Sequence, residues 1–290
     1  MKTIVVMQQF QLYLIVCEIT LANSFAFQRA INYGNYNHQM NGASDNIKTA
    51  MEFSLAVTGL IPASVLIDRF LQNGTSRIEG IANTKIIDKF GDVYAYISLP
   101  KDPIPSKKYP VVVLVHQFFG LRPRDTELCD EISRLGYVAV APDCYQGNNT
   151  SLIPRAISLV SNAAFNDDWR LPLRDLHRVM EYLETQVYAD SSQVAVGGFC
   201  FGGGVALRYA DKYPEKVKCC GIFYGKPITT IEKLNCKLYC VYGENDRQFP
   251  PKMIDTFETF LKDNKIDVDM RRYKGQAHAF IEDLECINKG

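Results

Sequence analysis

Val194-Ala-Val-Gly-Gly-Phe-Cys-Phe-Gly-Gly-Gly204 is the stretch whose reading decides the fold. Residues 193–197 form an apolar run that predicts a buried strand, and residues 203–212 carry helical spacing. Between them lies Gly198-Phe199-Cys200-Phe201-Gly202, a G-x-C-x-G turn that sets a nucleophile between strand and helix. Such a turn is sharp and strained. Side chains two residues to either side of the nucleophile would collide with the adjoining strand and helix, so glycine stands at both places. A helix N-terminus also favours an anionic nucleophile. A glycine-rich strand–turn–helix can instead cradle a phosphate. The glycines after Phe201 do not complete G-x-G-x-x-G, however, and no acidic residue follows a second strand at the required distance.

Outward from this segment, strand and helix patterns alternate. Strands are predicted at 93–99, 111–116, 137–141, 219–224, 237–242 and 268–273, and helices at 125–135, 171–186 and 252–262. Val111-Val-Val-Leu-Val-His116 is an unbroken apolar run, as expected of a strand covered on both faces. Leu176, Val179, Met180 and Leu183 share one face of the 171–186 helix. The alternation predicts an α/β fold, with a mostly parallel central sheet and helices on both faces.

A nucleophile needs a base and a group to orient it. Asp246 lies in Gly243-Glu-Asn-Asp-Arg-Gln-Phe-Pro250, just past a buried strand, and His278 lies in Gly275-Gln-Ala-His-Ala-Phe280, just past the last one. Open α/β sheets place their sites at such carboxyl ends, and Cys, Asp, His is the chain order this architecture uses. His116, at a strand end, is the rival base; His38 and His177 read as surface residues. One oxyanion donor is expected from the backbone N–H after the nucleophile, at Phe201. A second is expected from the loop within residues 117–120.

These segments (HQFFG, GFCFGG, GENDRQFPP and GQAHAF) together resemble the dienelactone hydrolase family over about residues 88–285. The resemblance implies a single α/β-hydrolase domain, no cofactor and no metal. It also implies a Cys-His-Asp triad that cleaves lactones or activated esters through a thioester. Carried over, the triad is Cys200, Asp246 and His278, the oxyanion donors are Phe118 and Phe201, and the pocket includes Gln117, Phe119 and Tyr145. Two residues depart from the family pattern. Gln117 stands where well-known members carry a Glu that helps deprotonate the thiol. Glu282 stands where they carry an Arg that holds a substrate carboxylate, so an uncharged substrate is expected. The alternatives are a carboxylesterase or thioesterase acting on uncharged esters and a non-catalytic scaffold with the same fold. The aromatic residues Phe118, Phe119, Phe199 and Phe201 suggest an apolar lining.

Composition bounds the partners. Thirty-two basic and thirty-two acidic residues cancel, which leaves no electrostatic footprint for a nucleic acid. Nine cysteines, an odd number without a C-x-x-C pair, predict mostly free thiols. Vicinal Cys219 and Cys220 read as core residues of a strand. Residues 1–26 have the layout of a signal-like leader, with Lys2, interrupted apolar stretches and a small-residue end at Ala26. The stretch is too broken for a membrane span, so no membrane is expected for the mature form. Residues 27–55 are acid-poor and read as a transit-like segment or a linker, and the folded domain as 60–290. The two-part leader leans to a plastid, with secretion as the alternative. In a secreted chain, Asn73, Asn148 and Asn149 would head glycosylation sequons.

Overall fold

The structure is a computed structural model. It describes Leu66 and residues 77–88, 91–101, 103–105, 107–165 and 168–281. The chain divides into two units, Met1–Ile67 and Asp68–Gly290, and the sheet lies in the second. The leader and transit-like segments, with Asn73 and Glu282, lie outside the described residues.

Eight strands form one sheet: β1 (Thr84–Asp88), β2 (Gly91–Ser98), β3 (Tyr109–Val115), β4 (Val138–Pro142), β5 (Ala189–Phe199), β6 (Cys219–Phe223), β7 (Lys237–Gly243) and β8 (Val268–Tyr273). Their order is β1-β2-β4-β3-β5-β6-β7-β8. The β1–β2 and β2–β4 pairs are antiparallel, and every pair from β4 through β8 is parallel. The helices are α1 (Pro123–Arg134), α2 (Ile153–Val160), α3 (Arg170–Glu184), α4 (Phe201–Lys212) and α5 (Pro251–Asp263). Strand order reverses between the β3–β4 step and the steps from β5 onward. Right-handed crossovers therefore put α1 on one face of the sheet and α3, α4 and α5 on the other.

Local chemistry agrees with this layering. In β2, Val93, Ala95 and Ile97 are buried, while the intervening Tyr96 and Ser98 hydroxyls donate to Asp130 of α1 (2.9 and 2.6 Å). From α3, Arg178 donates to the Gly91 carbonyl at the start of β2. The apolar face read for α3 is buried at Leu176, Val179, Met180 and Leu183. The central strands β3, β4, β5 and β7 are mostly buried, as their unbroken apolar runs require. The short elements that went unread in the sequence include β1 at the sheet edge and α2 in the long β4–α3 connection.

Seven described cysteines are free: Cys129, Cys144, Cys200, Cys219, Cys220, Cys236 and Cys240. Cys220 is fully buried, whereas Cys219 is only partly so. His177 is not a plain surface residue. Its ring stacks on Tyr213 at 4.3 Å, and its Nδ1 meets the Tyr209 hydroxyl at 3.1 Å. Phe199 is a core residue, stacked on Phe223 at 4.8 Å, and does not line an open surface.

Candidate active site

Cys200 sits at the junction of β5 and α4 with φ 52° and ψ −112°. A positive φ is rare in a residue with a side chain, and here the neighbours enforce it. Cys200 N–H donates to the Phe223 carbonyl of β6 at 2.9 Å. A Cβ on Gly198 would lie 2.3 Å from the Gly202 carbonyl carbon, and one on Gly202 would lie 2.1 Å from the Val115 carbonyl oxygen. The turn thus closes on itself and presses against the end of β3, with no room for side chains at either glycine. The collision expected from the sequence is the one observed.

Asp246 and His278 reach this turn from β7 and β8. His278 Nδ1 meets Asp246 Oδ2 at 2.7 Å. The other carboxylate oxygen accepts the Gln248 and Phe249 N–H groups, at 2.8 and 3.0 Å. Asp246 is buried, and both its oxygens are held. The two loops are also joined through their backbones: Glu244 N–H donates to the Tyr273 carbonyl (3.0 Å) and Asn245 N–H to the Gln276 carbonyl (2.8 Å). Gly243 permits this approach, since a Cβ there would stand 2.3 Å from the Gln276 oxygen.

The imidazole of His278 lies between two rings, Tyr224 at 5.1 Å and Phe249 at 5.5 Å, both edge-on. Its side chain is 5% exposed, and its Nε2 is buried without a hydrogen-bond partner. Burial disfavours the imidazolium. The negative charge of the Cys200 sulfur and the Asp246 hydrogen bond outweigh that, pushing His278 up to about 10. The sulfur acts on the ring first through its charge. Cys200 itself is only partly buried and remains accessible.

His116 has a different character. It is fully buried; its Nδ1 donates to the Gln117 carbonyl (2.8 Å), and its Nε2 accepts Cys144 N–H (3.0 Å). Burial lowers it to about 4. A neutral imidazole with both nitrogens engaged is a structural group, which removes the rival base.

The turn 117–120 is fixed at three successive carbonyls. Gln117 O accepts His116 Nδ1 and Gly120 N–H, Phe118 O accepts the Tyr145 hydroxyl (3.1 Å), and Phe119 O accepts Thr150 N–H (3.0 Å). In a trans peptide the N–H points opposite to its carbonyl. Phe118 N–H therefore points away from the group that holds Gln117 O. Phe201 is the first residue of α4, so its N–H has no partner within the helix. Tyr145, expected in the pocket, is buried behind this turn with its hydroxyl spent on Phe118. Gln117 and Phe119 are partly buried on the turn itself. Asn149 is buried and its amide donates to the Leu121 carbonyl, while the Asn148 amide donates to Tyr145 and Gln146 carbonyls.

Sequence reasoning passed over Trp169 and Tyr224. Trp169 stacks on Phe201 at 5.5 Å, with the Arg208 guanidinium over its ring at 4.0 Å; Phe201 in turn stacks on His116 at 5.8 Å. This four-member stack pins the residue that follows the nucleophile. That Trp169 is the only tryptophan in the chain was the one signal for it. Tyr224 gave none.

Two titrations test this geometry. In Cys200→Ala the imidazole loses its strongest raising partner, so the His278 pKa read by NMR should fall well below that of the unaltered protein; an unchanged value would contradict the coupling. The raised value also means that the folded chain binds this proton more tightly than the unfolded chain. The resulting stabilisation is complete below about pH 6.5 and is lost as pH rises through about 10. Gly243→Ala should separate the two loops, costing ~1–3 kcal/mol in urea unfolding and lowering the His278 pKa as Asp246 moves off. A stable variant with an unshifted histidine would show that the close approach is not what holds the pair.

The model of the dienelactone hydrolase family matches residues 93–289. Protein usf of Aquifex pyrophilus is 30% identical over 200 residues, 66% of this chain and 83% of its own length. A Synechocystis protein named "Putative carboxymethylenebutenolidase" is 27% identical, over 63% of this chain and 80% of its own. Among solved structures, a Klebsiella pneumoniae protein named "Putative Dienelactone Hydrolase" superposes with a TM-score of 0.61 at 24% identity, covering 68% of this chain and 86% of that one. At that identity the superposition speaks to the fold, which is that of the α/β-hydrolases. The chain belongs to the dienelactone hydrolase family and is a hydrolase of ester bonds in small lactone or ester substrates.

Proposed function

We propose that the reaction proceeds through a cysteine thioester, with Cys200 as nucleophile, His278 as proton carrier and Asp246 as the group that orients it. One observation carries this reading: the strained Cys200 turn faces an imidazole whose Nδ1 is fixed on Asp246 and whose Nε2 has no partner. Cys200 attacks as the thiolate, its proton held on His278 Nε2. The sulfur adds to the acyl carbon, and the carbonyl oxygen takes the negative charge toward the Phe118 and Phe201 N–H groups. The tetrahedral species collapses, the bond from carbon to the leaving oxygen breaks, and that oxygen takes the proton from Nε2. Water then loses a proton to Nε2 and adds to the thioester; the acid departs and the thiol is restored.

Gln117 cannot accept a proton, and His116 is neutral with both nitrogens engaged, so His278 serves alone as base. The half-buried aromatic rings of Phe118 and Phe119, packed edge to face at 5.0 Å, favour an uncharged lactone or small ester. We place Gln117 and Phe119 beside the acyl group and Tyr145 behind it, supporting the oxyanion turn. A compartment in a plastid, or outside the cell, remains part of the proposal, resting on the layout of residues 1–55 alone.

Trapping tests the assignment. Rapid quenching with a slowly deacylating p-nitrophenyl ester, followed by mass spectrometry, should find the acyl group on the peptide containing Cys200. Cys200→Ala should abolish turnover, and Cys200→Ser should lose ~10² or more, since a hydroxyl depends fully on its base. Acyl label on Cys219 or Cys220, or normal rates in Cys200→Ala, would contradict it.

A further inference from the structure

Five tyrosines among the described residues are buried, and four have their hydroxyls in hydrogen bonds. Tyr109 accepts from Ile104 N–H, Tyr145 donates to Phe118 O, Tyr209 meets His177 Nδ1, and Tyr242 donates to Gly225 O. The fifth, Tyr224, is fully buried, yet its hydroxyl has no partner. A buried polar group left unpaired is costly and calls for an explanation.

The backbone of Tyr224 is also unusual. Its φ is 41°, in the left-handed region, and its N–H is tied to the Val241 carbonyl at 2.7 Å. The preceding carbonyl, Phe223 O, accepts Cys200 N–H. The nucleophile turn and Tyr224 thus share a peptide anchor, and strain at such positions gathers where a group must be aimed. The ring lies edge-on to His278 at 5.1 Å and close to Phe280 at 5.9 Å. Burial, and after it the charge of the Cys200 sulfur, raise the phenol far above its ordinary range. It keeps its proton and so has a hydrogen to donate.

Topology says which side of the sulfur it serves. Phe118 follows β3 and Tyr224 follows β6, the two neighbours of β5 on opposite sides. A carbonyl oxygen directed at the Phe118 and Phe201 N–H groups leaves the departing oxygen on the side of His278 and Tyr224. We infer that the Tyr224 hydroxyl is a further catalytic group, donating a hydrogen bond to the leaving-group oxygen beside the proton delivered by His278 Nε2. The phenol keeps its own proton: the electron pair of the broken C–O bond goes to the leaving oxygen, which is protonated by His278 and steadied by Tyr224. This inference rests on the triad reading above.

Leaving-group dependence tests it. With Tyr224→Phe, the acylation rates of ethyl, phenyl and p-nitrophenyl esters of one acid should diverge. The loss should be about tenfold or more for the ethyl ester and within about twofold for the p-nitrophenyl ester, whose stable anion needs little help. The melting temperature should hold or rise, because the variant deletes an unpaired hydroxyl and breaks no bond. Equal losses for all three esters with a lowered melting temperature would assign Tyr224 a structural role, and unchanged rates would remove it from the reaction; either overturns the inference. If Tyr224→Phe still gives the Cys200 adduct, such a failure is confined to Tyr224. If the unaltered protein gives no Cys200 adduct, the triad reading falls and this inference with it.

Discussion

At Cys200 the backbone is held at φ 52° and ψ −112°, a conformation that costs ~1–3 kcal/mol in a residue with a side chain. It persists because β5, β6 and the end of β3 leave the chain no other path. The N–H is fixed on Phe223 O, and Gly202 lies so close to Val115 O that no Cβ fits between them. The start of α4, the exposure of the sulfur and the direction of the Phe201 N–H all follow from this one strained residue. The core around β3, β5 and β6 is what sustains the strain.

The sheet order divides the groups around the sulfur into two sets. From the β3–β4 side come the turn at Phe118, the Tyr145 hydroxyl that braces it and the stack running from His116 through Phe201 and Trp169 to Arg208. From the β6–β8 side come Tyr224, Asp246 and His278. In the first set the three carbonyls of the turn and both His116 nitrogens are held, which would aim the N–H donors proposed above before charge develops. The second holds two buried polar atoms without partners, His278 Nε2 and the Tyr224 hydroxyl. Both atoms lie on the side of the sulfur to which the proposed mechanism directs the leaving group.

Much of this was legible in the chain. Gly198 and Gly202 announce a turn because only glycine survives the 2.3 and 2.1 Å approaches observed. Asp246 was readable because it follows the apolar run of β7, and His278 because it sits in the loop past the last strand, although β8 itself carries Asp269, Arg271 and Arg272. Other elements left no signal. β1 is an edge strand with Ile87 exposed and Lys85 paired to Asp92, so it lacks the alternation of a half-buried strand. α2 is only eight residues long, with a proline in its first turn, and resembles the loop around it. The two histidines misjudged or left open, His177 and His116, are settled by ring stacking and by a hydrogen bond to Cys144 N–H, 28 residues away. Tyr224 was invisible for the same reason: its significance lies in a positive φ and an unpaired hydroxyl, both products of tertiary packing.

The central claim is that Cys200, Asp246 and His278 work as one device on one acyl group. Groups acting as a unit are strongly non-additive, because once the nucleophile is gone the base has nothing to serve. The direct measurement is kcat/KM for Cys200→Ala, His278→Ala and the double variant on a single ester, extended to the slow background that remains. A single device predicts that the double variant is no slower than Cys200→Ala alone. Losses that multiply, with His278→Ala reducing the residual rate of Cys200→Ala by its full single-variant factor, would show that the two residues act separately and would contradict it.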